Sequence, residues 1–533
     1  MWKFLLFFVS LLSFNSLSAQ SFEGTEFWVT WLPNASTSSS GNSNQIHIIS
    51  KIDTKVYIEI PKGGVPLYDT LAVSAFQVVS YDFLYFQRTF SVNSEVIEQK
   101  GVRITSDAPV LIYLGNYEDM TTDVALAIPF NACGNEYDVV TISDPSISGG
   151  GTYNRSQFVI IGNEDNTQLT VTIKGKTKGG LSTGNVINFN LNQAETYTVI
   201  ADNSSGPTNT DLTGTKIIST NGKRFSVYAG NNCATIGDCG DCDHLFEQIR
   251  PTNTLGKTFH VAITEKSYPL EDLVRVYAVR DYTNYSFDGV VQPVLNKTQY
   301  KDFDLTAGVE IISDKPIQVT QFLKGHYCAP VPLETDPLMM DILPAGLHSA
   351  TYTFGTSSFN RFNIHYISVI SETSEIPNLQ LDGASLNITN WQPITGSTRS
   401  YGSKVVDIAT SYTLTNTNGV PFSLFVYGYG ERESYGYSAG GQLINLDTCP
   451  EAGFDFTPSG VSREILVTDT SYFGSFNIVE WEWAFGDGDT TTIGLPGPGN
   501  TSHIYPRDGY YSVALKILND AKPEPCADSI KTT

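Results

Sequence analysis

Three thiols and an imidazole fall within twelve residues of this chain: Cys233, Cys239, Cys242 and His244. That set contains the ligands of a tetrahedral zinc site, and Asp243, His244, Glu247 and Gln248 add groups able to accept, hold or pass a proton. A second cluster stands further along, where Asp487 and Asp489 flank Gly488. Carboxylates on a glycine turn either hold calcium or cap the turn by accepting backbone N–H groups, and capping is the reading favoured here. The chain contains no Asp-rich calcium loop, Gly-x-Ser-x-Gly elbow, His-Glu-x-x-His helix or phosphate-binding loop. Glycoside hydrolysis needs two facing carboxylates, and among 55 Asp and Glu residues no pair stands out. The expectation is a non-enzyme with no cofactor.

Compartment decides between zinc and a disulfide. Residues 1–20 carry Lys3, an apolar run from Phe4 to Phe14 and the exit Leu17-Ser18-Ala19, the pattern of a secretory signal peptide. Oxidising surroundings favour a bond such as Cys233 to Cys242 over zinc, with Cys239 as a third candidate and Cys449 and Cys526 as a further candidate pair. No later stretch reaches the roughly 20 apolar residues that span a bilayer. The net charge of -23 repels phosphate backbones, so nucleic-acid partners are set aside. The expected location is secreted or outer cell surface.

The elements that carry these residues repeat. The segment Gly101-Val102-Arg103-Ile104-Thr105-Ser106-Asp107-Ala108-Pro109-Val110-Leu111-Ile112-Tyr113 echoes from Gly214, Gly308 and Ser411 at intervals of about 100 residues, the size of one β-sandwich. Gly24-Thr25-Glu26-Phe27, Gly134-Asn135-Glu136-Tyr137, Gly256-Lys257-Thr258-Phe259 and Ser349-Ala350-Thr351-Tyr352 open the units, and Pro129, Pro251 and Pro344 precede the last three openings. Apolar residues alternate, as at Val56, Ile58, Ile60 and at Leu169, Val171, Ile173. Asp288-Gly289 and Asp382-Gly383 read as hairpin turns. Ser106-Asp107-Ala108-Pro109, Asn221-Gly222, Ser313-Asp314-Lys315-Pro316 and Asn418-Gly419 read as further turns. Gly149-Gly150-Gly151 and the stretch Gly175 to Asn185 read as long loops. Counting back from the prolines sets His244 and Glu247 opposite Pro337 and Met340, in a segment joining one sandwich to the next, where they would satisfy backbone groups.

Two resemblances follow. Trp481-Glu482-Trp483-Ala484-Phe485-Gly486-Asp487-Gly488, His503-Ile504-Tyr505 and Tyr511-Ser512-Val513-Ala514-Leu515 resemble a polycystic kidney disease (PKD) domain, an Ig-like spacer with Trp483 and Phe485 in its core and Gly486 and Gly488 in its turn. Tyr228-Ala229-Gly230, the cysteine loop, Asp243-His244-Leu245-Phe246-Glu247-Gln248 and Gly256-Lys257-Thr258-Phe259 resemble the N-terminal domain of IgGFc-binding proteins over residues 21–447. The pairing is similar to that of secreted surface proteins of Bacteroidota. This resemblance implies an exported binding protein, a kind associated in animals with mucus and with immunoglobulin Fc.

The resulting expectation is all-β: a signal peptide (1–20), four Ig-like sandwiches (21–130, 131–254, 255–346, 347–447) in a rod or compact row, and a PKD domain (448–533). The function expected is adhesion to a glycoprotein, glycan or other surface protein, with a secreted carbohydrate-active enzyme or a structural stalk as alternatives. Trp28, Trp31, Tyr117 and Tyr153 offer contact anchors, with burial in the cores as the competing and commoner fate.

Overall fold

The computed structural model describes the chain from residue 21 onward except for 36–42, 62–65, 84–92, 119, 144–153, 205–209, 238–239, 241, 267–269, 326–334, 358–361, 444–451, 472–477, 495–496, 498, 520–526 and 533. Alternating β-branched and polar residues give strands with one face in a core, and two such sheets close each unit. In the second unit the sheet of Glu136–Asp138, Lys216–Ser219, Thr167–Thr172 and Val186–Leu191 faces that of Asp243–Gln248, Phe225–Ala234, Ser156–Gly162 and Glu195–Ile200. A short strand from the first unit, Ile97–Gln99, adds to the open edge of Glu195–Ile200.

In the first and third units the strands Val102–Glu118 and Val309–Phe322 serve both sheets without interruption. Ser106-Asp107-Ala108-Pro109 and Ser313-Asp314-Lys315-Pro316 are therefore not turns. They are corners at which one strand leaves its first sheet and enters the second, with Thr105 paired to Glu26 and Val110 paired to Ser50. Proline has no N–H for the ladder, which suits it to the crossing point, and Ser106 Oγ to Ala108 O and Ser313 Oγ to Lys315 O, both 2.7 Å, hold the two corners alike. In the second and fourth units the equivalent crossing is a true turn, with Gly222 at φ 74° and Gly419 at φ 73°. Asp288-Gly289 and Asp382-Gly383 have positive φ at both residues (50° and 73°, 51° and 79°), the type I′ hairpin read from the sequence.

The last strands of the four units are Thr121–Leu126, Asp243–Gln248, Met339–Ile342 and Glu433–Ser438, and every residue in them is buried. They pack against one another in a cycle, first on second, second on third, third on fourth and fourth on first. The row expected from sequence is thus closed into a ring. Four apolar cores span the joints between units, and the largest joins Phe22, Ile49 and Tyr113 of the first unit to Tyr352, Tyr435 and Tyr437 of the fourth. Ser21 also bridges Gln442. The repeated opening residues belong to these joints: a Cβ on Gly24 would lie 2.3 Å from Pro129, and one on Gly134 would lie 2.4 Å from Pro251, so each glycine seats the proline that opens the next unit.

At the centre of the ring stands Asp123, fully buried. Its carboxyl accepts the N–H groups of Val124 and Phe246, and the backbone N–H groups of Met339 and Gly436, on the last strands of the third and fourth units, also favour its charged form. The two bonds measure 2.8 and 3.0 Å. Burial pushes this carboxyl up from its ordinary range, against the pull of those four N–H groups. Asp123→Ala leaves the buried N–H groups of Val124 and Phe246 without their acceptor and is expected to cost about 2–5 kcal/mol. The urea midpoint of the full chain reads this directly: Asp123→Asn should recover part of the loss, and a loss under about 1 kcal/mol would remove the residue from the centre of the fold.

Candidate functional site

The strand Asp243–Gln248 carries most of the residues that could do chemistry, and the ring encloses all of it. Its partner strand runs so close that a Cβ on Gly230 would meet Leu245 O at 1.7 Å, which accounts for the glycine in Tyr228-Ala229-Gly230. Asp243 Oδ1 accepts Thr122 N–H at 2.8 Å and its neighbour His244 N–H at 2.6 Å. His244 Nε2 lies 2.8 Å from Asn116 Nδ2, whose amide also donates to Leu32 O at 2.8 Å. Glu247 Oε1 accepts Asp341 N–H at 3.2 Å, and Gln248 Oε1 accepts Ile128 N–H at 2.7 Å. Beside them Arg250 grips Asp341 through two nitrogens and donates to Thr254 O and Ile342 O, both at 2.9 Å. Each polar side chain of the motif thus ties the second unit to the first or to the third.

The electrostatics agree with enclosure. Burial drives the His244 imidazole down to about 3, against the opposing pull of the Asn232 and Asn231 backbone. Burial also pushes Glu247 well above the carboxylate range, helped by the charge of Asp341. Asp243 is raised by burial and then by Asp336, Glu433 and Asp123. An acid/base pair at work needs access to a reacting group, and His244 and Glu247 are 0% and 4% exposed.

Cys233 and Cys242 are joined, so neither offers a thiolate to zinc. The bond closes the loop immediately before Asp243 and fixes the start of the enclosed strand. Cys133, buried and free, was not singled out in the sequence. Cys239, Cys449, Cys526, Gly149-Gly150-Gly151 and Tyr153 lie outside the described residues. The stretch from Gly175 to Asn185 is a pinned turn, with Thr177 Oγ1 bonded to Glu95 and Lys178 N–H donated to Ile200 O at 2.8 Å. Trp28 and Trp31 are core residues, Trp31 Nε1 donating to Gly115 O at 3.0 Å, and Tyr117 is half-buried; the two tryptophans therefore cannot serve as contact anchors.

In the last domain Trp483 and Phe485 fill the core, and Gly486 and Gly488 turn the chain at φ 82° and 106°. Asp487 Oδ1 accepts Asp489 N–H at 3.1 Å, capping the turn, while Oδ2 meets His503 Nε2 at 2.7 Å. One ligand atom each from Asp487, Asp489 and His503 lie within 4.8 Å of one another, and both oxygens of Asp487 are already engaged.

Since the native state refuses a proton at His244 until about pH 3 while the unfolded chain takes one near 6.5, this residue's share of stability is complete above about pH 6.5. It falls by roughly 1.4 kcal/mol per pH unit below that. In histidine-labelled protein the His244 resonance should stay at its neutral position from pH 8 to pH 5. A midpoint near 6.5 would show an open site.

Comparison with known proteins gives the same two parts. The family described as "IgGFc binding protein" matches residues 123–428, and that described as "PKD domain" matches residues 459–533. The IgGFc-binding protein of Homo sapiens is 24% identical over 348 residues, covering 64% of this chain but only 6% of that protein. Among solved structures, the PKD1 domain from the Vibrio cholerae metalloprotease PrtV is 27% identical, covering 16% of this chain and 93% of its own, at a TM-score of 0.14. The central fibronectin-III array of RIM-binding protein is 10% identical, covering 52% and 98%, also at 0.14. TM-scores this low carry no weight for the whole fold. With more than half of its length matched, this chain belongs to the IgGFc-binding protein family and carries a PKD domain after the matched region.

Proposed function

We propose that the four-unit ring is a non-catalytic binding body, secreted or held at the outer cell surface, which recognises a glycoprotein, a glycan or another surface protein. The observation that carries this reading is the fate of the motif residues. Asp243, His244, Glu247 and Gln248 are consumed in joining units, so recognition falls to the outside of the ring. Family membership supports the same class. No helix among the described residues is long and apolar enough to cross a membrane.

Val290 and Val291 are 62% and 81% exposed on the Asp288-Gly289 hairpin of the third unit, and Tyr282, in the turn at the base of that hairpin, is 73% exposed. Exposed branched side chains on a tight hairpin, with an exposed aromatic at its base, are a contact surface of low entropic cost. A stalk is less well supported, because a ring closed on itself extends the chain little. The full chain is expected to bind saturably to at least one member of a panel of mucin-type glycoproteins, immunoglobulin Fc and polysaccharides. The variant Tyr282→Ser, Val290→Thr, Val291→Thr should bind about tenfold or more weakly while keeping its unfolding midpoint. Release of new reducing ends from a polysaccharide would instead establish the enzyme.

A further inference from the structure

Three buried nitrogens meet at the joint between the third and fourth units. His260 lies in the first strand of the third unit, Gly256–Val261, and His348 in the turn that leads into the fourth; both are 3% exposed. Their rings stand 6.4 Å apart. His260 Nε2 meets Glu310 Oε1 at 3.0 Å, and the same oxygen accepts Ser397 Oγ at 3.2 Å from across the joint. His348 Nε2 lies 3.3 Å from Leu343 O, to which only an N–H can donate. Arg399 is held to Glu372 at 3.0 Å. This leaves His260 Nδ1, His348 Nδ1 and Arg399 Nη1 without partners among the described residues.

The bonds settle the tautomers. Each imidazole has its proton on Nε2, directed at an oxygen, and a bare lone pair on Nδ1. A second proton must go to Nδ1, where it would make a buried N–H with no acceptor. It would also add positive charge beside the other histidine and Arg399. Among the described residues the carboxylates facing the cluster, Glu310 and Glu372, are already bonded, and Tyr352 is a further titratable neighbour. Counting four residues on from each unit's opening, the place of His260 is taken elsewhere by Trp28, Asp138 and Thr353, none of them an imidazole. His47, His244 and His365 are also buried, but among the described residues none of them has a second histidine against its ring.

We propose that the joint between the third and fourth units is a proton-operated weak point of the ring, tight at neutral pH and loosened in mild acid by charging of the His260–His348 pair. Electrostatics fit this geometry. Burial, Arg399 and His260 hold His348 down to about 3. Burial and then Arg399 lower His260, against the opposing pull of Glu310 and Glu372. The joint therefore keeps its full strength above about pH 6.5 and weakens as pH falls, on the order of tenfold per pH unit for each histidine that opening exposes.

Hydrogen exchange of the full chain at pH 7.5 and 5.0, corrected for intrinsic rates, tests this. Acid should lower protection in 256–261 and 399–406 at least about tenfold more than in 24–29, the matching strand of the first unit. His260→Asn with His348→Gln, which cannot charge, should abolish that excess; if the double variant does not fold, His348→Gln alone should reduce it. Equal loss at both strands in the wild-type chain, or an excess that survives in the variants, would overturn the proposal.

Discussion

One carboxyl group governs the architecture. Asp123 accepts N–H groups from the last strands of the first and second units and feels the backbone N–H groups of the third and fourth, which requires the four last strands to meet at one point. That condition turns tandem sandwiches into a ring. It also buries both faces of each last strand, so any polar residue there must find its partner inside. Asp243, His244, Glu247, Gln248 and Arg250 look like a reactive cluster when read as a sequence. In the ring they bond Thr122, Asn116, Asp341 and Ile128.

Much of the fold was legible because its signals are local. Strand alternation, the Asp-Gly hairpins and the turn at Phe485-Gly486-Asp487-Gly488 depend on neighbours in the chain, and the repeated opening residues lie at the joints they were counted from. Closure was not legible, for a specific reason. The positions equivalent to Asp123 in the other units, counted from the proline or along the last strand, hold Leu245, Leu338 and Tyr435, so aligning the repeats hides the residue on which closure depends. The corner at Ser106-Asp107-Ala108-Pro109 was misleading in a related way. Its composition is that of a turn, but a twisted strand crossing between two sheets has the same need for a residue without an N–H. The tryptophans failed as surface anchors because the joints between units bury what one isolated sandwich would leave exposed.

For function, the ring separates roles. Its interior carries the Asp243–Gln248 strand and holds the units together, whereas the Asp288-Gly289 hairpin exposes Val290 and Val291 at the rim. On the proposed binding role, recognition can change with the rim while the interior stays fixed. The disulfide between Cys233 and Cys242 belongs to the first role, since it ends at the residue before Asp243.

Closure itself is the claim on which the rest stands, and proximity of the chain's two distant segments tests it most directly. Ser21 and Gln442 pair across the junction of the first and fourth units. Cysteines placed at both positions should bond within one chain under mild oxidation, in dilute solution, and the linked peptides should be recovered from the monomer. If they form only bonds between chains, or none, the four sandwiches stand in an open row and Asp123 is not their common centre.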